Sequence, residues 1–145
     1  MIKKFILATL AGSVVQFLLG WLIYGLLLAN FMNSHTTHYE GLMKDMNTGS
    51  FIILIFLSEL VMAFLITFIF QRWAKFEGFF KGLTAGMLLG FLLALSYDLY
   101  FLASMNMFSV STTVVDVIAN TVVVGIVGAV IAWVLGFKSK AVPAQ

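Results

Sequence analysis

The segment GFFKGLTAGMLLGFLLALSYD, residues 78–98, repeats a small residue at every fourth position and ends on an aspartate. Residues four apart lie on one face of an α-helix, so the repeat predicts a single stripe along a helix. The stripe consists of Gly78, Gly82, Gly86, Gly90, Ala94 and Asp98. Stripes of small residues let two helix backbones approach closely inside a membrane, where lipid provides no hydrophobic drive for helix association.

The composition of the whole chain is also typical of a membrane protein. Of its 145 residues, 62% are hydrophobic and 10% are charged, whereas ordinary soluble domains have about 25% charged residues. Four apolar runs are long enough to cross a hydrocarbon core of about 30 Å, which takes about 20 helical residues. We place these spans at about residues 5–30, 51–71, 79–104 and 112–136. The predicted fold is all-α, an integral membrane four-helix transmembrane bundle that forms a single domain.

Basic residues predict the orientation of the four spans. All lysines and arginines except Lys44 fall on one side of the membrane in this arrangement, and cytoplasmic loops contain the excess of such residues. We therefore expect a multi-pass protein of the inner (plasma) membrane with both termini in the cytoplasm. The first run is too long for the apolar part of a signal peptide, so we expect a retained helix. The short link over residues 72–81 predicts that the second and third spans are antiparallel neighbours.

We also predict the structure of two segments outside the spans. Thr37 and Glu40 form a capping-box pattern, and apolar residues follow them at helical spacing. This pattern predicts a short amphipathic interfacial helix at about residues 38–47, in the first outer loop. The closing residues, 138–145, have the composition of a flexible tail.

Every predicted span has a comparable stripe of small and polar residues. The packing positions that we assign are Gly12, Gly20, Gly82, Gly86, Gly90, Gly128 and Ala132. In the third and fourth spans the small residues occupy the cytoplasmic half, whereas Asp98 and Asp116 occupy the outer half. We therefore expect a bundle that is tightly packed near the cytoplasm and polar inside towards the exterior, with Asp98 pointing into it.

Three carboxylates lie within the predicted spans, at Glu59, Asp98 and Asp116. An acidic residue at the centre of a span costs about 2.5–3.5 kcal/mol to insert, and no basic residue is near these acids in the spans. One hypothesis is an outward-facing, carboxylate-lined intramembrane pocket that binds or passes a cation, a proton or a small polar solute. Its candidate residues are Glu59, Asp98, Asp116, Asn120, Gln16, Tyr24 and Tyr97.

The alternative hypothesis is a non-catalytic accessory or assembly subunit of a membrane complex. In that case the small and polar stripes only pack helices together. Both hypotheses expect contact with the lipid bilayer and a homo-oligomer or a membrane partner subunit, since four spans rarely form a transport path alone. We expect neither a nucleic acid partner nor a cofactor.

Motifs for catalysis are missing from the sequence. There is no cysteine, which excludes disulfides and thiolate sites, and no nucleophile–base pattern or phosphate-binding loop occurs. The surroundings of Asp116, VVDVIAN, lack the GxGD motif of intramembrane aspartyl proteases. We therefore expect no enzymatic activity. His35 and His38 are weaker candidates for a metal site on the outer surface, with Glu40 and Asp45 as further ligands.

The segment SYDLYFLASMNMFSVSTTVVDVIANTVVVGIVGAVIAW, residues 96–133, resembles the C-terminal half of a group of small bacterial four-helix inner-membrane proteins of unknown function. That group has a tyrosine–aspartate–leucine triplet in helix three, here Tyr97, Asp98 and Leu99, and an aspartate early in helix four, here Asp116. The stretch FLLGWLIYG, residues 17–25, is similar to the first helix of a related group. The resemblance implies four helices and a prokaryotic inner membrane, and it implies no activity.

Overall fold

A computed structural model describes residues 2–42, 48–75 and 77–137. Over these ranges the chain is helical apart from its connecting loops, and it contains no β-strand. The α-helices are α1 (Ile2–Gly20), α2 (Ala29–His35), α3 (Gly49–Ile69), α4 (Phe79–Ser104) and α5 (Val110–Gly136). Wider π-helical turns prolong α1 over Trp21–Leu27 and α3 over Phe70–Ala74.

Within the described ranges, four helical segments are long and apolar enough to cross a membrane, which confirms the prediction of an all-helical chain with four such helices. They are Ile2–Leu27, Gly49–Ala74, Phe79–Ser104 and Val110–Gly136. Each has 26 or 27 residues and rises about 1.5 Å per residue, so each exceeds a hydrocarbon core of about 30 Å.

The last of these helices, α5, is the centre of the structure. Most of the buried side chains belong to it, whereas α3 and α4 each bury only three residues. One side of α5 packs along α4, and its other side contacts α1 and, less extensively, α3. Because α1 also packs against α3, the helices follow the order α4, α5, α1, α3 across the protein.

This order corrects the prediction that the second and third spans are neighbours. Among the described residues, α3 and α4 have almost no contact, although only a short link joins them. The chain turns between them through two residues with positive φ, Lys75 at 48° and Gly78 at 109°. The Gly78 N–H then donates to the carbonyl oxygen of Ala132 over 3.2 Å. This bond places the beginning of α4 against the end of α5.

The glycine stripe of α4 forms the close contact with α5. Gly82, Gly86 and Gly90 are all buried. A Cβ atom on Gly86 would overlap the carbonyl oxygen of Val124, and one on Gly90 would lie 2.9 Å from the carbonyl oxygen of Asn120. On α5, a Cβ atom on Gly128 would lie 2.9 Å from the Cα of Gly86. The two backbones therefore touch directly, as the stripe predicts.

Of the remaining predicted packing positions, Ala132 and Gly12 are closely packed and Gly20 is not. Ala132 is fully buried in the core, and a Cβ atom on Gly12 would lie 2.7 Å from the Ile131 side chain and 3.4 Å from Ala63. Gly12 therefore brings α1 close to both α5 and α3. A Cβ atom on Gly20, in contrast, would meet no atom within 4 Å, so Gly20 takes no part in close packing in the structure.

The first outer loop differs from its prediction. Residues 38–42 contain no helix, and residues 43–47 lie outside the described ranges, as does the predicted tail at 138–145. The helical segment in this region is α2, which continues the first span after a bend at Leu28. There the Leu28 N–H donates to the Ile23 carbonyl oxygen, five residues back, over 2.7 Å. The Thr37 N–H bonds to the Met107 carbonyl oxygen over 2.9 Å, and this pairing replaces the expected helix cap.

Candidate functional site

A cavity of about 130 Å³ lies where α2, α4 and α5 meet, at the end of the structure that the sequence predicts to be exterior. Its walls contain two of the three predicted acids. The lining residues are Met32, Asp98, Phe101, Phe108, Thr112, Thr113 and Asp116.

The register of the glycine contact brings the two acids together. Gly90 of α4 lies against Asn120 and Val124 of α5, and the two helices run antiparallel. Each step of four residues along α4 therefore moves the facing position four residues back along α5. Two such steps lead from Gly90 to Asp98, and the facing positions on α5 become 112 and 116. Asp98 and Asp116 accordingly lie close to each other at the cavity.

Asp116 is held in place by a small hydrogen-bond network. The Asn120 amide nitrogen Nδ2 donates to Oδ2 of Asp116 over 2.8 Å and lies 2.8 Å from the Tyr24 hydroxyl, which accepts from it. The Tyr24 hydroxyl is also close to the Asp116 carboxyl. Tyr24 comes from the π-helical turn Trp21–Leu27, so this network joins the first span to α5.

One carboxyl oxygen of Asp98 has no hydrogen-bond partner within the described part of the chain. This Oδ2 atom is buried. The Thr113 side chain lines the cavity and is only 8% exposed. Because buried polar groups in native proteins are hydrogen-bonded to protein, water or ligand, the Asp98 oxygen calls for a partner that the described residues do not supply.

A strap of backbone pairing joins the segment after α2 to the turn between α4 and α5, beside the cavity. Thr36 and Phe108 form an antiparallel bridge, and the Thr37 N–H donates to the Met107 carbonyl oxygen. The Thr112 hydroxyl, on the first turn of α5, donates to the His35 carbonyl oxygen over 3.1 Å. These bonds fix α2, which contains the cavity residue Met32, to the turn between α4 and α5.

We expect Thr112→Val to loosen this strap. The substitution keeps the shape of the side chain but removes its bond to the His35 carbonyl, so the free energy of unfolding should fall by about 1 kcal/mol. Thr121→Val is the matched control, because the Thr121 hydroxyl bonds only within its own helix, to the Val117 carbonyl. Reversible denaturation in detergent measures both variants. Equal losses in the two variants would show that the strap adds nothing to stability.

Glu59 does not belong to this cavity, which corrects the prediction of one pocket with three acids. It lies half-buried on α3, where its carboxyl pairs with the Gln16 amide of α1. Gln16 is 9% exposed, and its buried Oε1 atom has no hydrogen-bond partner among the residues that the structure describes. Because α3 packs against α1 rather than α4, Glu59 and Gln16 form a separate polar contact.

Tyr97, which we predicted to be a pocket residue, also lies outside the cavity. It is 60% exposed and does not line the cavity, although it precedes Asp98 in the chain. Neighbouring residues on a helix point about 100° apart, since a turn takes about 3.6 residues. When Asp98 faces α5, Tyr97 therefore faces outward.

The two histidines have backbone partners. Nδ1 of His35 lies 3.0 Å from the Phe31 carbonyl oxygen, and Nε2 of His38 lies 2.9 Å from that of Asn33. Among the described residues no group of three or more His, Cys, Asp or Glu side chains is placed to hold a metal ion. Asp45, a further ligand in the metal hypothesis, lies outside the described ranges.

Several cavity residues were not predicted from the sequence. Phe101 follows Asp98 by three residues and Thr113 precedes Asp116 by three, so helical spacing places each on the same face as its aspartate. Thr112 precedes Asp116 by four residues, so the same spacing places it on that face as well. Met32 and Phe108 reach the cavity only through the bend after α1 and the backbone strap. Those two contacts depend on tertiary structure.

No known family model matches the chain, and neither a curated protein nor a solved structure does. The resemblance carried by Tyr97, Asp98, Leu99 and Asp116 to small bacterial inner-membrane proteins therefore stays a prediction. The functional interpretation rests on the geometry of the cavity.

Proposed function

We propose that this chain is a multi-pass membrane protein, without enzymatic activity, that binds a cation in the cavity between Asp98 and Asp116. The observation that supports the proposal most strongly is the pairing of two carboxyls at one cavity, with no positively charged side chain among the described residues that line it. Two neighbouring carboxylates repel each other, and the repulsion is strong where water is scarce. A bound cation or a shared proton relieves it.

The cavity also has suitable acceptors for a cation. The residues that line it include two carboxyls, of Asp98 and Asp116, and the hydroxyls of Thr112 and Thr113. Ionisable residues inside membrane helices generally pair with one another or mark paths for ions and substrates. The same arrangement supports passage of a cation or proton as a further step of the proposal.

The orientation is part of the proposal. The basic residues that the structure describes, Lys3, Lys4, Arg72, Lys75 and Lys81, lie at the end that holds the start of α1, the α3–α4 turn and the end of α5. By the positive-inside rule that end faces the cytoplasm, in the inner membrane, and the cavity opens towards the exterior. Since four spans rarely enclose a transport path, we expect the protein to act as a homo-oligomer or with a membrane partner.

A second candidate function has an observation in its favour. The bonds from Asn120 to Asp116 and to Tyr24 tie two spans together, which is what an accessory or assembly subunit needs from polar residues in its spans. In that case the acids only fasten helices, and no cation stabilises the protein through them.

Thermal unfolding in detergent distinguishes the two candidates. The full chain is heated in chloride salts of sodium, potassium, calcium and methylammonium at constant ionic strength. A cation that binds the folded state stabilises it by about 2.7 kcal/mol at a concentration of 100 Kd. We expect at least one of these cations to raise the melting temperature in a saturable manner. A melting temperature that no cation changes would favour the assembly role.

A further inference from the structure

The lining of the cavity combines oxygen atoms with apolar groups. Asp116 and Thr113 come from α5 and Asp98 from α4, while Phe101, Phe108 and Met32 add two phenyl rings and a thioether. The rings of Phe101 and Phe108 have centroids 6.2 Å apart and planes tilted by 41°. A ligand that fills this cavity must satisfy polar acceptors and apolar contacts together.

We infer that the cation is a small primary ammonium compound, such as ethylammonium, with its charged nitrogen at the two aspartates and its alkyl group against Phe101, Phe108 and Met32. The inference rests on the proposed function and names the ligand class of the same site. An ammonium group has three N–H donors and no acceptor. The residues that line the cavity include acceptors to match, in the carboxyls of Asp98 and Asp116 and the hydroxyl of Thr113.

A hard metal ion suits this lining less well. Calcium takes six to eight oxygen ligands and magnesium requires near-octahedral coordination. One of the carboxylate oxygens is already engaged, because Asp116 Oδ2 accepts from Asn120. The phenyl rings and the thioether cannot complete such a shell. They do attract an organic cation, through cation–π and apolar contact.

The size of the cavity and the number of N–H donors on the ligand restrict the ligand class further. The cavity has a volume of about 130 Å³, and Phe101, Phe108 and Met32 form its apolar wall. We therefore expect a short alkyl chain to pack against these side chains and a hexyl chain to clash with them. Tetramethylammonium has no N–H group, so it cannot donate to the carboxyls of Asp98 and Asp116 or to the Thr113 hydroxyl.

The test is ligand-dependent thermal unfolding of the full chain in detergent, with apparent Kd values from titration. The probes are methylammonium, ethylammonium, hexylammonium and tetramethylammonium chlorides, compared with potassium and calcium chlorides at constant ionic strength. We expect methylammonium and ethylammonium to bind at least about tenfold more tightly than the other four, because a hydrogen bond to a charged group is lost or a clash arises. Equal binding of ethylammonium and tetramethylammonium would overturn the inference.

Two variants locate the ammonium group and the alkyl group. Thr113→Val removes one acceptor at constant shape and should weaken ethylammonium binding about tenfold, whereas Thr121→Val, outside the cavity, should leave it unchanged. Phe101→Leu enlarges the cavity and should improve hexylammonium binding relative to ethylammonium. Unchanged ethylammonium binding in Thr113→Val, or an unchanged chain-length preference in Phe101→Leu, would overturn the assigned pose.

The outcomes separate this inference from the proposed function. If potassium or calcium stabilises the protein through Asp98 and Asp116 while the ammonium ions do not, the ligand class is wrong and the cation site stands. If no probe stabilises the protein, both are wrong. If every ammonium ion stabilises the wild type and the Asp98→Asn variant equally, the effect arises outside the cavity, and the inference fails.

Discussion

Replacing Gly86 with leucine is expected to destabilise the protein by about 3 kcal/mol or more, at the upper end of what overpacking costs. Gly86 is buried against the backbone of α5, where a Cβ atom would already overlap the Val124 carbonyl oxygen and lie 3.1 Å from the Cα of Gly125. Backbone atoms cannot swing aside as a flexible side chain does. The two helices must therefore separate to accommodate a leucine.

The effect is large because α4 has no other partner among the described helices. It packs along α5 and has almost no contact with α1 or α3. Separation of α4 from α5 also moves Asp98 away from Asp116, so the variant should lose its response to cations together with its stability. Reversible denaturation in detergent measures the free energy of unfolding, and helical content by circular dichroism reports whether the spans persist.

Gly20→Leu is the matched control for this substitution. Gly20 lies in the first span, and a Cβ atom there would meet nothing within 4 Å. We expect the control to change the free energy of unfolding by about 0.5 kcal/mol or less, as is usual for positions without close packing. If Gly86→Leu were no less stable than Gly20→Leu, the direct backbone contact between α4 and α5 would be wrong.

The second large effect is expected from Asp98→Asn. In a buffer without small cations the variant should be as stable as the wild type or more stable, because it removes the repulsion between Asp98 and Asp116 and leaves a neutral group of the same shape. In saturating cation the wild type should gain about 2.7 kcal/mol at 100 Kd, whereas the variant should gain about 0.5 kcal/mol or less. Asp116→Asn should lose the response in the same way.

Glu59→Gln provides the matched control among the intramembrane acids. Glu59 pairs with Gln16 on the opposite side of α5 from α4, so its neutralisation should leave the cation response intact. Thermal unfolding across cation concentrations measures all three variants. If Asp98→Asn and Asp116→Asn both melted lower than the wild type in every salt, the carboxyls would act only as links between helices.

The packing faces of α4 and α5 could be predicted from the sequence, but their pairing and register could not. Both helices have small or polar residues at intervals of four, and this period fixes the packing face of each one. Once the structure places Gly90 against Asn120 and Val124, the same period brings Asp98 to Asp116. The pairing of these acids is therefore a consequence of the stripes together with the observed register.

The position of Glu59 could not be predicted in this way. Its stripe on α3 defines a face but not the helix on which that face packs, and the short α3–α4 link suggested the wrong neighbour. The actual neighbour depends on the turn through Lys75 and Gly78 and on the bond from Gly78 to Ala132. Tyr97 is a different case, because helical geometry alone turns it away from the face of Asp98.

The parts of the cavity wall that α2 and the strap form could not be predicted from the sequence either. The π-helical turn Trp21–Leu27 contains no proline or charged residue from which it could be predicted. It nevertheless places Tyr24 beside Asn120 and redirects the chain towards the α4–α5 turn. The bond from Thr37 to Met107 joins residues that are distant in the chain, so local patterns do not predict it.

The most direct test of cation binding by Asp98 and Asp116 is infrared difference spectroscopy of the reconstituted protein. Spectra are recorded as a saturating small cation replaces a bulky organic cation that the cavity excludes. We expect carboxyl difference bands in the wild type and in Glu59→Gln, and their loss in both Asp98→Asn and Asp116→Asn. Difference bands that are absent from the wild type, or that persist unchanged in both aspartate variants, would contradict a cation site between these two residues.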